Sequence, residues 1–263
     1  MLKAHVFFKM RSVSYTLKKA FSSQAVGGSF HGKREGYIAQ LFIDNPGKKN
    51  AMNLRMYDQI PETVNQVVTD DVRVVILQGA GKDAFGAGSD ISEFPNNRHN
   101  AREASNYSAI ENKASDSLLN IKRPLLAKIR GPCIGGALNL ALTADIRYAS
   151  EDAIFCVPPA KLGIGYPQEL MDLLLSAVGR SRAKELVFTS RVIKAEEALR
   201  IGLVDVVIPC NDLDSHVDKV AQEISRLAPI TIEAAKLSAN KDPRGRQRSS
   251  ECYESEDYKE GSR

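Results

Sequence analysis

Long hydrophobic runs and paired cysteines are both missing from this sequence of 263 residues. No stretch approaches the roughly eighteen consecutive apolar residues of a membrane-spanning helix, so we expect no integral membrane segment. No two cysteines form a Cys-x-x-Cys pair, which argues against a zinc site or a disulfide framework and fits a reducing compartment. The four cysteines are Cys133, Cys156, Cys210 and Cys252.

Clusters of histidine are lacking as well. The four histidines are separated by long stretches of chain, at His5, His31, His99 and His216. Neither a metal-ligand spacing nor a Ser-His-Asp arrangement can be assembled from them. We therefore predict that the protein holds no metal ion.

Acidic residues are missing before Glu35, whereas residues 1–23 hold five lysines and arginines, several hydroxyls and apolar residues at helical spacing. An acid-free, basic, serine-rich amphipathic arm is typical of a mitochondrial import signal, so we predict a transit peptide at 1–23 and a location in the matrix. A basic tail or a surface-binding helix is the alternative.

The rest of the chain is not basic. Removing the five basic residues of 1–23 from the total of 36 leaves 31 against 32 acidic ones, which argues against nucleic-acid binding.

The rest of the chain alternates short β-branched runs with stretches of helical character. We predict a linker at 24–36, a core at 37–210 and a helical region at 211–263 that forms a lid or an oligomer arm. Strands that alternate with helices in this way are typical of an α/β architecture.

Two glycine-rich segments stand out within the core. Gly131–Asp145 runs from an apolar stretch through Gly135 and Gly136 into an alanine- and leucine-rich helix, and Ala84–Phe94 is rich in small residues. Glycine lets a ligand approach the main chain, and free N–H groups at a helix start attract negative charge. The segments therefore indicate an anion or oxyanion site, or, alternatively, a close backbone contact that merely requires glycine.

Four motifs in order resemble the enoyl-CoA hydratase/isomerase (crotonase) superfamily, over about 38–236. Asp44–Ala51 is similar to its Asn-x-Pro-x-x-x-Asn-Ala signature, and Ala84–Phe94 to its Ala-Phe-x-Ala-Gly-x-Asp-Ile-x-Glu segment. Gly131–Asp145 resembles its Gly-x-x-x-Gly-Gly segment, and Ala198–Pro209 its Ala-x-x-x-Gly-Leu-Val segment. The resemblance implies a spiral of ββα units with C-terminal helices, assembled as a homotrimer or homohexamer.

The same resemblance implies an acyl-CoA thioester as substrate, with coenzyme A entering as part of that substrate and no separate cofactor. The main-chain N–H groups of Ser89 and Gly136 would form an oxyanion hole for the thioester oxygen. The coenzyme A portion would lie along five residues, which are Lys49, Ala51, Ala87, Asp90 and Ile91. For Asp90 a helix cap is the alternative role.

The sequence departs from the family at the proton-transfer positions. Asn139 and Pro159 replace the two glutamates of the hydratases, and Pro167 replaces the isomerase carboxylate. Asn139 can orient water or a carbonyl but cannot act as a base. Glu169 is one substitute, with a helix cap as the alternative role, and Tyr166 is the other, with a structural aromatic as the alternative.

The sequence thus predicts a mitochondrial enzyme of the enoyl-CoA hydratase/isomerase type, acting on fatty or branched acyl-CoA with an unconventional proton-transfer group. Leu162–Tyr166 is similar to a segment of methylmalonyl-CoA decarboxylases, which makes decarboxylation the second hypothesis, although Ser89 stands where those enzymes carry histidine. A non-catalytic acyl-CoA-binding protein is the third. Because the chain stops at Gly261–Arg263, we also expect a shortened C-terminal lid.

Overall fold

The computed structural model describes residues 27–240. The predicted transit peptide at 1–23 and the end of the predicted C-terminal region lie outside the described residues. Two sheets organise the part of the chain that is described, one with six strands and one with three. Their strands are β1 (Ser29–Glu35), β2 (Ile38–Asp44), β3 (Val74–Gly79), β4 (Leu125–Ile129), β5 (Pro132–Ile134), β6 (Ile146–Ser150), β7 (Ile154–Cys156), β8 (Ile193–Lys194) and β9 (Val206–Ile208).

The larger sheet has the order β1-β2-β3-β4-β6-β9, and the smaller has the order β5-β7-β8. In the larger sheet only the β1–β2 pair is antiparallel, and the pairs from β2 to β9 are parallel. Five of the six residues of β3 are buried, because a parallel sheet is covered on both faces. The prediction of an α/β architecture is confirmed.

Helices cover these sheets and connect their parallel strands. Within residues 27–240 they are α1 (Leu54–Val67), α2 (Phe94–Asn97), α3 (Ala101–Leu119), α4 (Gly136–Leu142), α5 (Pro159–Leu162), α6 (Gln168–Thr189), α7 (Ala195–Arg200), α8 (Leu213–Ser225) and α9 (Pro229–Ala239). None of them is both long enough and apolar enough to cross a bilayer.

The structure corrects the predicted linker at 24–36, because most of its second half forms β1. Only Phe30 of this strand is buried, and its remaining side chains are half-buried or exposed. As an edge strand with one neighbour, β1 is held by its ladder to β2 rather than by an apolar face. Its polar composition gave no alternating pattern from which a strand could be recognised.

A hydrophobic core lies between the larger sheet and α1, α3 and α4. Met56, Tyr57 and Ile60 form the buried face of α1, which packs on α3 and β1. Asn53 begins α1 by accepting a hydrogen bond from the Met56 N–H at 2.9 Å. This packing brings Tyr57 next to the start of α4, where the two glycine-rich segments meet.

Candidate active site

Asn50 ties the turn after β2 to the segment after β3. Its side-chain Nδ2 donates to the carbonyls of Ala80 at 2.9 Å and Ala84 at 2.8 Å. Its Oδ1 accepts from the Asn45 N–H at 2.9 Å. Asn50 is buried and has a φ of 57°, a left-handed conformation that asparagine tolerates better than most residues. One side chain therefore positions both loops that lead to the site.

Ser89 is held in place by a short parallel bridge to Met52. The Met52 N–H donates to the Gly88 carbonyl at 2.8 Å, and the Asp90 N–H donates to the Met52 carbonyl at 2.7 Å. Because the neighbours of Ser89 bond to Met52, the N–H of Ser89 points to the opposite side. It donates no hydrogen bond to any group within residues 27–240.

Gly136 opens α4 in close contact with Ser89 and Tyr57. A Cβ atom at Gly136 would lie 2.0 Å from the Tyr57 hydroxyl oxygen and 2.7 Å from Ser89 Oγ, so only glycine fits. The N–H of Gly136, in the first turn of α4, also finds no partner within residues 27–240. The close backbone contact that the sequence offered as an alternative to an oxyanion site is therefore present. The main-chain N–H groups of Ser89 and Gly136, which lie at this contact, have no hydrogen-bond partner within residues 27–240.

A buried polar network surrounds the Ser89 side chain, and sequence reasoning missed it. Ser89 Oγ lies 2.9 Å from the Tyr57 hydroxyl oxygen and donates to Glu111 Oε1 at 3.0 Å. Arg98 holds the other Glu111 oxygen at 2.6 Å. Burial raises the pKa of Glu111, while Arg98 and Ser89 act in the opposite direction. No spacing in the sequence links these residues, because α1, α3 and two loops supply them.

Tyr166 and Asn139 form a second pair. The Tyr166 hydroxyl donates to Asn139 Oδ1 at 2.9 Å. Asn139 is buried, and burial raises the pKa of Tyr166 above its ordinary value of 10.0. The phenol therefore keeps its proton near neutral pH and acts as a hydrogen-bond donor. The structure thus joins two of the residues that the sequence singled out.

Glu169 lies apart from these pairs. It stands in the first turn of α6, and its side chain is exposed. The helix shows no side-chain cap, and no hydrogen bond of the Glu169 carboxylate is found across residues 27–240. The helix cap that the sequence offered as the alternative role is therefore not seen for Glu169, and its side chain faces solvent.

The five residues predicted to line the coenzyme A site come from the two loops that Asn50 connects. The Ala87 N–H donates to the Lys49 carbonyl at 3.0 Å, and Ala51 is buried beside them. Ile91 exposes 58% of its surface.

Asp90 has the capping role that the sequence offered as its alternative. It accepts from the Ser92 N–H at 3.1 Å at the start of a 3₁₀ turn, and it pairs with Lys48 Nζ at 2.6 Å. Burial opposes ionisation of this carboxyl, but the bonds from Lys48 and Ser92 prevail, so the pKa of Asp90 is lowered.

Metal-binding side chains do not converge here. Among residues 27–240, no group of three or more histidine, cysteine, aspartate or glutamate side chains is placed to hold an ion. The polar groups of the site are amides, hydroxyls and one buried ion pair. This donor set suits an organic anion or carbonyl oxygen.

Comparison with known proteins identifies the family. The family model described as enoyl-CoA hydratase/isomerase matches residues 33–258. A short-chain-enoyl-CoA hydratase from Clostridium acetobutylicum is 35% identical over 214 residues, covering 80% of this chain and 80% of that protein. A human mitochondrial Delta(3,5)-Delta(2,4)-dienoyl-CoA isomerase is 32% identical over 215 residues, covering 77% of this chain and 65% of that protein.

Comparison with solved structures leads to the same family. An enoyl-CoA hydratase/carnithine racemase from Magnetospirillum magneticum superposes with a TM-score of 0.82 at 33% identity, covering 89% of this chain and 90% of that one. An enoyl-CoA hydratase from Bacillus anthracis gives a TM-score of 0.79 at 27% identity, with 89% and 94% of the two chains covered. The predicted crotonase-like fold with C-terminal helices is confirmed. The chain belongs to the enoyl-CoA hydratase/isomerase family and is an acyl-CoA enzyme of that type.

Proposed function

We propose that this enzyme stabilises a thioester enolate with the main-chain N–H groups of Ser89 and Gly136. The observation that supports this most is that both amides are free of internal partners within 27–240. They also belong to segments in direct contact, since a Cβ at Gly136 would lie 2.7 Å from Ser89 Oγ. Two fixed donors next to each other suit one developing negative charge.

The chemistry of acyl-CoA explains why two such donors are needed. Removing a proton next to a thioester, removing a carboxylate there, or adding water to the conjugated double bond all place negative charge on the thioester oxygen. Each fixed donor contributes on the order of 3–4 kcal/mol to such a transition state in comparable sites. The donor at Gly136 also benefits from the positive end of α4.

The coenzyme A part of the substrate is assigned to Lys49, Ala51, Ala87, Asp90 and Ile91. These residues lie on the two loops joined by Asn50, and Ala87, Asp90 and Ile91 are within two residues of Ser89 in the chain. The exposed Ile91 side chain offers an apolar contact, and Lys49 offers positive charge for phosphates. No cofactor beyond the substrate's own coenzyme A is proposed.

The second candidate function is decarboxylation of a malonyl-type CoA. The Tyr166–Asn139 pair favours it, because both groups are neutral and neither can remove a proton. Loss of carbon dioxide forms the enolate without a base, so hydrogen-bond donors that orient a carboxylate are sufficient. Glu169, the third residue singled out beside this pair, is retained as a proton-transfer candidate for the hydratase/isomerase reaction.

A location in the mitochondrial matrix and a trimeric or hexameric assembly complete the proposal. The acid-free amphipathic character of residues 1–23 supports import. A fluorescent protein carrying residues 1–30 should be imported into mitochondria. A fusion that stays in the cytosol would contradict this part of the proposal.

One substrate panel tests the proposed reaction. The full chain is offered crotonyl-CoA, a 3-enoyl-CoA and methylmalonyl-CoA, and binding of each thioester is measured alongside. Turnover of either enoyl-CoA supports the hydratase/isomerase reaction, and release of carbon dioxide supports the second candidate instead. Binding of all three without turnover would overturn both and leave a non-catalytic binding protein.

A further inference from the structure

A buried carboxylate adjoins the site, although the family's catalytic positions hold none. Asn139, Pro159 and Pro167 occupy those positions. Glu111, on α3, is only 8% exposed and accepts a hydrogen bond from Ser89 Oγ at 3.0 Å. A buried carboxylate is costly unless it is paired, so its place next to Ser89 calls for a reason.

The hydrogen bonds fix the direction of the Ser89 hydroxyl. Arg98 binds the second oxygen of Glu111 at 2.6 Å, which favours the carboxylate form, and a carboxylate can only accept hydrogen bonds. The Ser89 proton is therefore directed at Glu111. The Tyr57 hydroxyl, 2.9 Å away, then donates to one lone pair of Ser89 Oγ. These are the two hydrogen bonds of Ser89 Oγ found within residues 27–240, and they leave one lone pair to accept a proton.

The Ser89 hydroxyl also lies beside the proposed main-chain donors. It is 2.7 Å from the position that a Cβ of Gly136 would take. The same two residues supply the proposed main-chain donors, and Ser89 is only half-buried, whereas Tyr57 and Glu111 are buried. Of the three side chains, Ser89 is therefore the one that is accessible to a substrate.

We propose that Ser89 and Glu111 form a proton relay that shifts the double bond of a 3-enoyl-CoA, an inference that rests on the proposed function. The C–H bond next to the thioester breaks, and its electron pair stays on the substrate as the enolate. The proton passes to Ser89 Oγ while the proton of Ser89 passes to Glu111 Oε1. Reversal of these transfers delivers the proton to the far carbon of the former double bond and yields the 2-enoyl-CoA.

Several charged and titratable groups surround Glu111, and of these we expect only Glu111 itself to control the relay by its ionisation. Arg98, before α3, neutralises the carboxylate, and the rings of Tyr107 on α3 and Tyr57 on α1 complete the surroundings. Burial raises the pKa of both tyrosines far above neutrality. Glu93, whose charge acts on Tyr107, accepts a hydrogen bond from the Leu54 N–H at 2.9 Å. The relay should therefore follow a single ionisation, that of Glu111.

The test compares three variants of the full chain with 3-hexenoyl-CoA in deuterated water. Glu111→Gln keeps the shape and the hydrogen-bond acceptor but cannot take a proton, and Ser89→Ala keeps the main-chain N–H but removes the relay. Asp116→Asn, which removes an exposed carboxylate from the same helix, is the matched control. Double-bond shift is followed by absorbance, deuterium uptake by mass spectrometry, and thioester binding by calorimetry.

We expect the first two variants to lose about 10²–10⁴-fold in rate with thioester binding unchanged, and the control to match the wild type. The wild-type rate should fall with one protonation at low pH, and the residual rate of Glu111→Gln should not. A wild-type rate in either Glu111→Gln or Ser89→Ala would overturn the relay. If Glu111→Gln does not fold, Ser89→Ala alone decides, since it leaves the Glu111–Arg98 pair in place.

The same experiment separates this inference from the proposed function. A wild type that turns over crotonyl-CoA or methylmalonyl-CoA but neither shifts the 3-enoyl double bond nor takes up deuterium would overturn the relay and leave the oxyanion proposal standing. A wild type that binds none of the thioesters would overturn both.

Discussion

Ser89 brings two different groups to the proposed site, and the sequence predicted only the first. Its main-chain N–H follows from the resemblance of Ala84–Phe94 to a family motif. Its side chain could not be interpreted, because the partners Tyr57 and Glu111 lie 32 and 22 residues away in the chain. The contact between Tyr166 and Asn139 was hidden for the same reason. At the scale of residues, motifs located the main-chain groups and missed the side-chain contacts.

Gly136→Ala tests the close contact at the start of α4. The new Cβ would lie 2.0 Å from the Tyr57 oxygen, so we expect the free energy of unfolding to fall by about 1–3 kcal/mol. The same change in a Tyr57→Phe background should cost less, because the nearest atom is gone. Gly165→Ala, where a Cβ meets nothing within 4 Å, is the control and should shift stability by less than about 1 kcal/mol. If Gly136→Ala and Gly165→Ala lower the free energy of unfolding in urea by the same amount, the close contact of Gly136 with Tyr57 is contradicted.

Glu111 gives the stability of the protein a defined dependence on pH. Because its pKa is raised in the folded state, the folded protein binds more protons than the unfolded chain at pH values above the ordinary carboxyl pKa of 4.5. The Glu111 contribution to stability is therefore lost as pH rises through that window. Relative to wild type, Glu111→Gln should be more stable near neutral pH than near pH 4.5. If the free energies of unfolding of the wild type and Glu111→Gln change with pH in parallel, the pKa of Glu111 is not raised.

At the scale of elements, local sequence signals predict where several helices lie. The apolar spacing after Asn53 predicts a helix at about 53–68, and the structure has α1 at Leu54–Val67 with Asn53 as its cap. The sequence likewise predicts helices at about 167–178 and 183–188, which are the two parts of α6 on either side of Gly179, where φ is 73°. The strand β1 was missed because strand pairing, rather than an apolar pattern, creates it.

Asn50→Ala tests how the two loops of the site are connected. The change removes three hydrogen bonds and places alanine at a φ of 57°. We therefore expect the free energy of unfolding to fall by about 2–4 kcal/mol. Affinity for an acyl-CoA should fall as well. Asn120→Ala, which removes one exposed bond to the Asp116 carbonyl, is the control and should cost less than about 0.5 kcal/mol. Unchanged thioester affinity in a folded Asn50→Ala variant would contradict the role of this link.

At the scale of the whole molecule, large apolar side chains exposed near the end of α6 support assembly with further copies. Phe188 is 73% exposed and Val192 is 53% exposed. They flank Arg191, which binds Glu185 of α6 at 2.8 Å and Glu197 of α7 at 2.6 Å and so joins the two helices. Large apolar side chains that are exposed close together in the chain mark a candidate protein interface.

If the proposed assembly uses this surface, Phe188→Asp should reduce the molecular mass in sedimentation experiments towards that of one chain of 28.8 kDa. A charge at the centre of an apolar contact loses its hydration without gaining a partner. Leu119→Asp, at an exposed position on α3, is the control and should leave the mass unchanged. If both variants keep the wild-type mass, this surface is not the interface.

The central claim, that Ser89 and Gly136 stabilise an enolate, is tested most directly with acetoacetyl-CoA. This thioester ionises readily between its two carbonyls, so enolate formation can be observed without any proton-transfer residue of the enzyme. We predict that the bound ligand shows the near-ultraviolet absorbance of the enolate at neutral pH, and that free coenzyme A displaces it and abolishes the band. Binding of acetoacetyl-CoA in its neutral form, with no enolate band at saturation, would contradict the claim.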